Sequence, residues 1–313
     1  MNRLRCVSLL AVLAGLAMGS AAAEAVVLAP NHSSIAGDLD VWLAADRLNG
    51  SGALPADGAS VATWEDLSGQ NNDATQTTPG AQPIFKTGQI GPNARPVVRF
   101  NSVSDGTNDF MRFGQFLDYP NLTLFLVGKA AADPPVGDYQ AFFSDYGTDG
   151  DELFIVQAWE GSTTSSKTMR TIVRDTDRDA IGLSALAGSD VTDYFLFTFR
   201  LDEPNDMTLR REMFPDGTFV QDTPSNAAYD STTWQGTFGE PRMGVVSNNT
   251  GAGVLNGDIA ELIIFDRKLT DDEYQGVEAY LRQKYFLPEP GAMAVWIGLL
   301  LLGVLGRRAR RRR

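Results

Sequence analysis

Cysteine and histidine are almost missing from this chain, with one of each in 313 residues, Cys6 and His32, both near the N-terminus. A Ser-His-Asp triad, a Cys-His pair and a zinc site of His and Cys are therefore excluded. The chemistry left is carboxylate, hydroxyl and aromatic. Acidic residues are missing from both ends: residues 1–23 hold Arg3 and Arg5 and no acid, and residues 291–313 hold six Arg and no acid. The body between carries 39 acids against 18 bases, a net of −21. Such a body disfavours phosphate backbones and anionic headgroups, and suits divalent cations or neutral ligands such as glycans.

Arg3 and Arg5 precede an apolar run over 7–18, followed by the small residues Ala21, Ala22 and Ala23. This is the order of a secretory signal peptide, residues 1–23, to be removed by signal peptidase after Ala23 or, next in preference, after Ala25. Cys6 precedes the apolar run, so it is not a lipoprotein acylation site and leaves with the signal. The exported chain is thiol-free, and its roughly 260 residues are enough to bury a core without disulfides.

At the other end Pro288-Glu289-Pro290 leads into an uncharged segment over 292–306. It stops at Arg307, Arg308, Arg310, Arg311, Arg312 and Arg313. About 15 apolar residues fall short of the ~20 that span a bilayer comfortably, while the Arg cluster holds that end in the cytoplasm. An ordinary C-terminal anchor is one reading. The order tripeptide, apolar helix, Arg cluster resembles the PEP-CTERM sorting signal of Gram-negative bacteria, here over 287–313. The resemblance implies an exosortase as partner, an inner-membrane intermediate, cleavage near the tripeptide and delivery to the cell surface or extracellular matrix. Contact with the membrane is then through the C-terminal helix only, before processing.

Between 26 and 270 short apolar bursts are bounded by Gly, Pro, Asn and Asp, the punctuation of strands and turns. Strands are expected at 97–100, 122–129, 153–158, 168–174, 194–201, 207–213 and 257–265. Phe195, Phe197, Phe199 and Leu201 share one face of a strand, and Leu196, Thr198 and Arg200 the other. The absence of amphipathic helices between strands favours an antiparallel sandwich over a parallel sheet. One helix is expected from Thr270. Thr270 and Glu273 form a capping box, and Tyr274, Val277, Leu281 and Tyr285 recur on one face.

The stretches LDVWLAAD at 39–46, VATWEDLSGQNNDA at 61–74, RPVVRF at 95–100 and NGDIAELIIF at 256–265 carry a family likeness. Together they resemble a laminin-G-like, concanavalin A-like jelly-roll domain, spanning 26–286. The resemblance implies an all-β, antiparallel two-sheet sandwich with one C-terminal helix, used for binding glycans or proteins, often with calcium. The sequence thus points to a non-enzymatic, exported module that engages extracellular polysaccharide and no nucleic acid. A structural matrix protein without a ligand and a glycan hydrolase are the alternatives.

Hydrolases of this fold place carboxylates in the pattern E-x-D-x-E on one strand face, and no such run exists here. Glu261 has no second Glu nearby. Two acidic groups are candidate calcium ligands: Asp145, Asp149, Asp151 and Glu152, and the alternating Asp175, Asp177 and Asp179. The second fails the calcium-loop pattern, with Ala180 where Gly is required and Leu186 where the bidentate Glu would stand. Asp105 and Asp109 around Gly106 form a weaker third group. Trp159 and Trp234 border polar loops and are candidate sugar-stacking residues, whereas Trp42 and Trp64 lie in apolar strands and are expected in the core. His32 is expected to be exposed.

Overall fold

The structure is a computed structural model. It describes residues 26–101, 108–114, 121–132, 138–146, 153–160, 167–174, 180–184, 191–202, 206–213, 219–222, 241–246 and 253–288. The signal segment 1–23, Glu289, Pro290, the apolar segment 292–306 and the Arg cluster lie outside them. Among the described residues no helix is long and apolar enough to cross a membrane.

The strands are β1 (Leu39–Ala44), β2 (Thr63–Trp64), β3 (Ala74–Thr75), β4 (Ile84–Ile90), β5 (Arg95–Phe100), β6 (Met111–Arg112), β7 (Leu122–Ala130) and β8 (Tyr139–Tyr146). They continue as β9 (Leu153–Glu160), β10 (Lys167–Arg174), β11 (Ala180–Ser184), β12 (Phe195–Asp202), β13 (Asp206–Met213), β14 (Phe219–Asp222), β15 (Arg242–Met243) and β16 (Gly257–Phe265), and helix α1 (Asp271–Tyr285) follows. The first sheet runs β14-β13-β12-β7-β16-β5-β4, with β1 also on β16, and the second runs β11-β10-β9-β8-β15-β6-β3-β2. All the ladders are antiparallel. The protein is an all-β jelly-roll sandwich with one C-terminal helix, and each of the seven strands expected from sequence is present.

The alternation in β12 sets the layering. Phe195, Phe197, Phe199 and Leu201 enter the interior with Leu124, Leu126, Leu262 and Ile264 of the first sheet. There they meet Trp64, Phe143, Val156, Met169 and Met243 of the second. Each Phe so buried contributes about 2–3 kcal/mol. Trp64 and Trp42 are both core residues, as expected, but in different layers. Trp42 joins Phe125, Val127, Leu196, Ile263 and Phe265 on the outer face of the first sheet, beneath Tyr274, Val277, Leu281 and Tyr285 of α1.

The opposite side of β12 is therefore covered by the helix. The Thr198 and Tyr274 hydroxyls are hydrogen-bonded to each other. Arg200 donates to the Leu269 carbonyl at 3.2 Å and to Asp271 at 2.6 Å. Its guanidinium stacks 4.2 Å from the Tyr274 ring centre. The capping box forms as expected: the Glu273 N–H donates to the Thr270 hydroxyl, and the Glu273 carboxylate accepts the Thr270 N–H at 3.0 Å. Arg267 holds Glu273 with two N–H donors at 2.8 and 3.0 Å, and this pairing draws the Glu273 pKa down to about 2.

Two further segments fasten α1. The Leu28 N–H donates to the Gly276 carbonyl at 3.0 Å, and a Cβ at Gly276 would meet Leu28 Cγ at 2.6 Å. Glycine at mid-helix lets the first described residues cross the helix in close contact. At the C-terminus, carbonyls in the last turn of the helix and just beyond it are met by the β4–β5 turn and the start of β5. Asn93 donates to the Leu287 carbonyl at 2.9 Å and Arg95 to that of Lys284 at 3.3 Å.

Candidate functional site

The first sheet carries two buried acids on β16, and a β-bulge determines where they point. The β16–β7 register slips between Ile259 and Glu261. Ala260 and Glu261 consequently both belong to the outer side, the usual effect of a bulge in re-aiming a side chain. Glu261 is 1% exposed and accepts from Trp42 Nε1 at 2.7 Å, Tyr285 Oη at 2.6 Å, Lys284 Nζ at 2.8 Å and, longer, Tyr280 Oη at 3.4 Å. Lys284 also reaches Asp46 at 2.8 Å. Burial and then the Glu261 charge push the Tyr280 and Tyr285 hydroxyls well above the ordinary tyrosine range, so both remain proton donors. Asp258 is gripped by Arg99 with two N–H donors at 2.6 and 2.9 Å and accepts from Tyr194 Oη at 2.7 Å. Both carboxylates fix the sheet to its covering and are shut off from any glycosidic bond.

The loop of the WEDLSGQNND stretch is also architectural. The Asp66 carboxylate accepts the N–H groups of Trp42 at 2.9 Å, Ser68 at 3.0 Å and Asn72 at 3.0 Å, and the Ser68 hydroxyl at 2.5 Å. Donors thus occupy both oxygens, as in an Asx turn.

Among the described residues no helix packs on the outer side of the second sheet; there the Ala141 N–H donates to the Gly253 carbonyl and the Ser144 hydroxyl to the Val245 carbonyl, both at 2.9 Å, and Ala141, Ser144, Ile155 and Gln157 are buried. Met111, Phe143, Val156, Ala158 and Met169 face inward, so their ladder neighbours occupy outward positions. The β8–β9 register pairs Tyr139 with Trp159 and Ala141 with Gln157. Tyr139 packs against a small outer cluster of Ala141, Ile155 and Val246. Further across, Arg242 is the partner of Arg112 on one side and of Ser144 on the other. Phe110 lies beneath both guanidiniums, 5.2 Å from that of Arg112 and 5.5 Å from that of Arg242.

Of the residues singled out from sequence, Trp159 lies in β9 as the register partner of Tyr139. Trp234, Asp149, Asp151, Glu152, Asp175, Asp177, Asp179 and Asp105 lie outside the described residues. Asp145 is part of strand β8, fully buried and paired with Phe154 at an inward position. Asp109 is buried and accepts the Asn101 N–H at 2.8 Å. Among the described residues no group of three or more His, Cys, Asp or Glu is placed to hold a metal ion. His32 is exposed, as expected. Phe110, Arg112 and Arg242 had no signal in the sequence, because β6 and β15 are two residues long and show no alternation to read, and Tyr139 lies in β8, which was not among the expected strands.

No protein-family model and no curated protein matches the chain. Among solved structures, it is similar to the tailspike protein 2 of Escherichia coli O157:H7 bacteriophage CAB120, with 11% identity, a TM-score of 0.49, and 74% of this chain against 29% of that one covered. It is also similar to the CBM40 of the Ruminococcus gnavus IT-sialidase, with 19% identity, a TM-score of 0.38 and coverage of 51% and 83%. A third is the binding domain of botulinum neurotoxin serotype G, with 11% identity, a TM-score of 0.43 and coverage of 69% and 49%. The chain spans under a third of the tailspike's length.

Proposed function

We propose that this protein is an exported, exosortase-sorted surface component whose sandwich binds extracellular glycan through the outer face of the second sheet, without bond cleavage. The observation that carries the reading is the asymmetry of the two faces. Among the described residues helix α1 covers the first alone, while the second sets Tyr139 opposite Trp159 in the β8–β9 register. Opposed aromatics on one strand face suit the C–H surface of a pyranose. The buried, donor-saturated state of Glu261 weighs against a catalytic role for that acid.

In a binding assay of the full chain against immobilised polysaccharides, Trp159→Ala is expected to weaken retention roughly tenfold, about 1.4 kcal/mol, with an unchanged melting midpoint. Undiminished retention would remove the face from consideration.

Sorting is supported by the geometry of the chain's exit. Leu287 is 54% exposed and Pro288 is exposed, directly beyond the turn that clamps α1. Replacement of Pro288, Glu289 and Pro290 by Ala is expected to leave the chain uncleaved and resistant to alkaline extraction from membranes. Normal maturation of that variant contradicts the sorting reading.

A further inference from the structure

We infer that the chain between β1 and β3 is an edge guard for the first sheet, and that the partner it keeps away is the same edge of a second copy of this protein. On one side of β16, β5 pairs with residues 257–259 and β1 with residues 261–265, and β4 lies outside β5. β1 and β4 are therefore the last strands of the sheet in that direction. A last strand presents a row of backbone N–H and C=O groups with which another chain can pair.

Here those groups are taken by two stretches of the same connection. Along β4 the Phe85 N–H donates to the Ala59 carbonyl and the Phe85 carbonyl accepts the Gly58 N–H, both at 2.8 Å. The Pro83 carbonyl accepts the Val61 N–H at 2.8 Å, and the Thr87 N–H donates to the Asp57 carboxylate at 2.8 Å. Along β1 the Trp42 carbonyl accepts the Leu67 N–H at 2.8 Å, and the Trp42 N–H donates to the Asp66 carboxylate at 2.9 Å. The Asp40 carbonyl accepts the Ser68 hydroxyl at 3.0 Å and the Asn72 side-chain amide at 2.9 Å. The residues served are alternate ones, Asp40 and Trp42 on one strand and Pro83, Phe85 and Thr87 on the other, as an antiparallel edge requires.

On each strand the guard meets an N–H with an aspartate. A backbone carbonyl in that place would extend the ladder and make a new edge beyond it, whereas a carboxylate ends the ladder and puts charge in the path of the next strand. Lys86 binds Asp57 at 2.6 Å and holds its carboxyl below the usual carboxylate range, so that charge persists. A second copy fits the guarded edge because a twofold axis brings the edge to itself, antiparallel and with the same spacing of donors and acceptors. β1 is the seam. Its sequence LDVWLA is apolar apart from Asp40, whereas β4 carries Lys86, a residue type that blunts edges.

The test uses the full chain in detergent and the change Asp66→Ala, with the parent in the same detergent as reference. At low concentration, amide exchange at Trp42 is expected to quicken roughly tenfold. As the concentration is raised it should slow again while light scattering shows the protein mass doubling, because the edge of a second copy replaces the loop. The parent should keep one mass throughout. Ser68→Ala/Asn72→Ala, which leaves the carboxylate in place and loosens the loop, should show both changes more weakly, and it decides by the same readouts if Asp66→Ala does not fold. Asp57→Ala should quicken exchange at Thr87, and Asp57→Asn, which retains an acceptor, should not. Unchanged exchange at Trp42 overturns the inference whether or not the variant associates. Faster exchange at every concentration, with the parent's mass retained, overturns the pairing of copies as well.

Discussion

Lys284→Met is expected to destabilise the sandwich by about 3–5 kcal/mol in urea unfolding, because it strands the Glu261 carboxylate in a dry interface. Lys284 is the cation paired with Glu261, at 2.8 Å, and it balances Asp46 at the same distance. The other groups on Glu261, Trp42 Nε1 and the two tyrosine hydroxyls, are neutral donors and cannot cancel a full charge. The double change Lys284→Met/Glu261→Leu should recover most of the loss, since replacing a whole buried pair by apolar groups is often close to neutral. A double variant as unstable as the single one would assign the cost to packing and not to buried charge.

Gly91→Ala should have an effect of similar size, on the order of 3 kcal/mol, for two reasons that add. Gly91 has φ of +68°, in the left-handed region, and a Cβ there would stand 1.6 Å from the Tyr285 carbonyl oxygen and 2.8 Å from its carbon. Neither of those atoms is the end of a flexible side chain, so the β4–β5 turn and the end of α1 must part. Faster amide exchange in the last turn of α1 and a lower melting midpoint are the expected readouts. Wild-type exchange there would mean that the turn does not hold the helix.

How far the sequence alone leads can be judged strand by strand. β7, β12 and β16 were legible because long apolar runs with alternating faces leave no other use for the residues. The helix was legible from Thr270, Glu273 and four apolar positions, all of which behave as the pattern requires. β2, β3, β6 and β15 were not, since two-residue strands have no period and exist because a neighbouring ladder recruits them. The same limit hid the candidate site. Arg112 and Arg242 are 130 positions apart in the chain and meet only through the register of β6 with β15. The environment of Glu261 was hidden as well. A bulge shifts which face an acid takes, and nothing in NGDIAELIIF marks where the extra residue falls.

Leu28 and Leu287 both lie against α1, the first at Gly276 and the second just past the helix end. About nine residues of helix lie between Gly276 and the helix end at Tyr285, roughly 14 Å. The described chain therefore begins and ends against α1, on the helix-covered side of the first sheet.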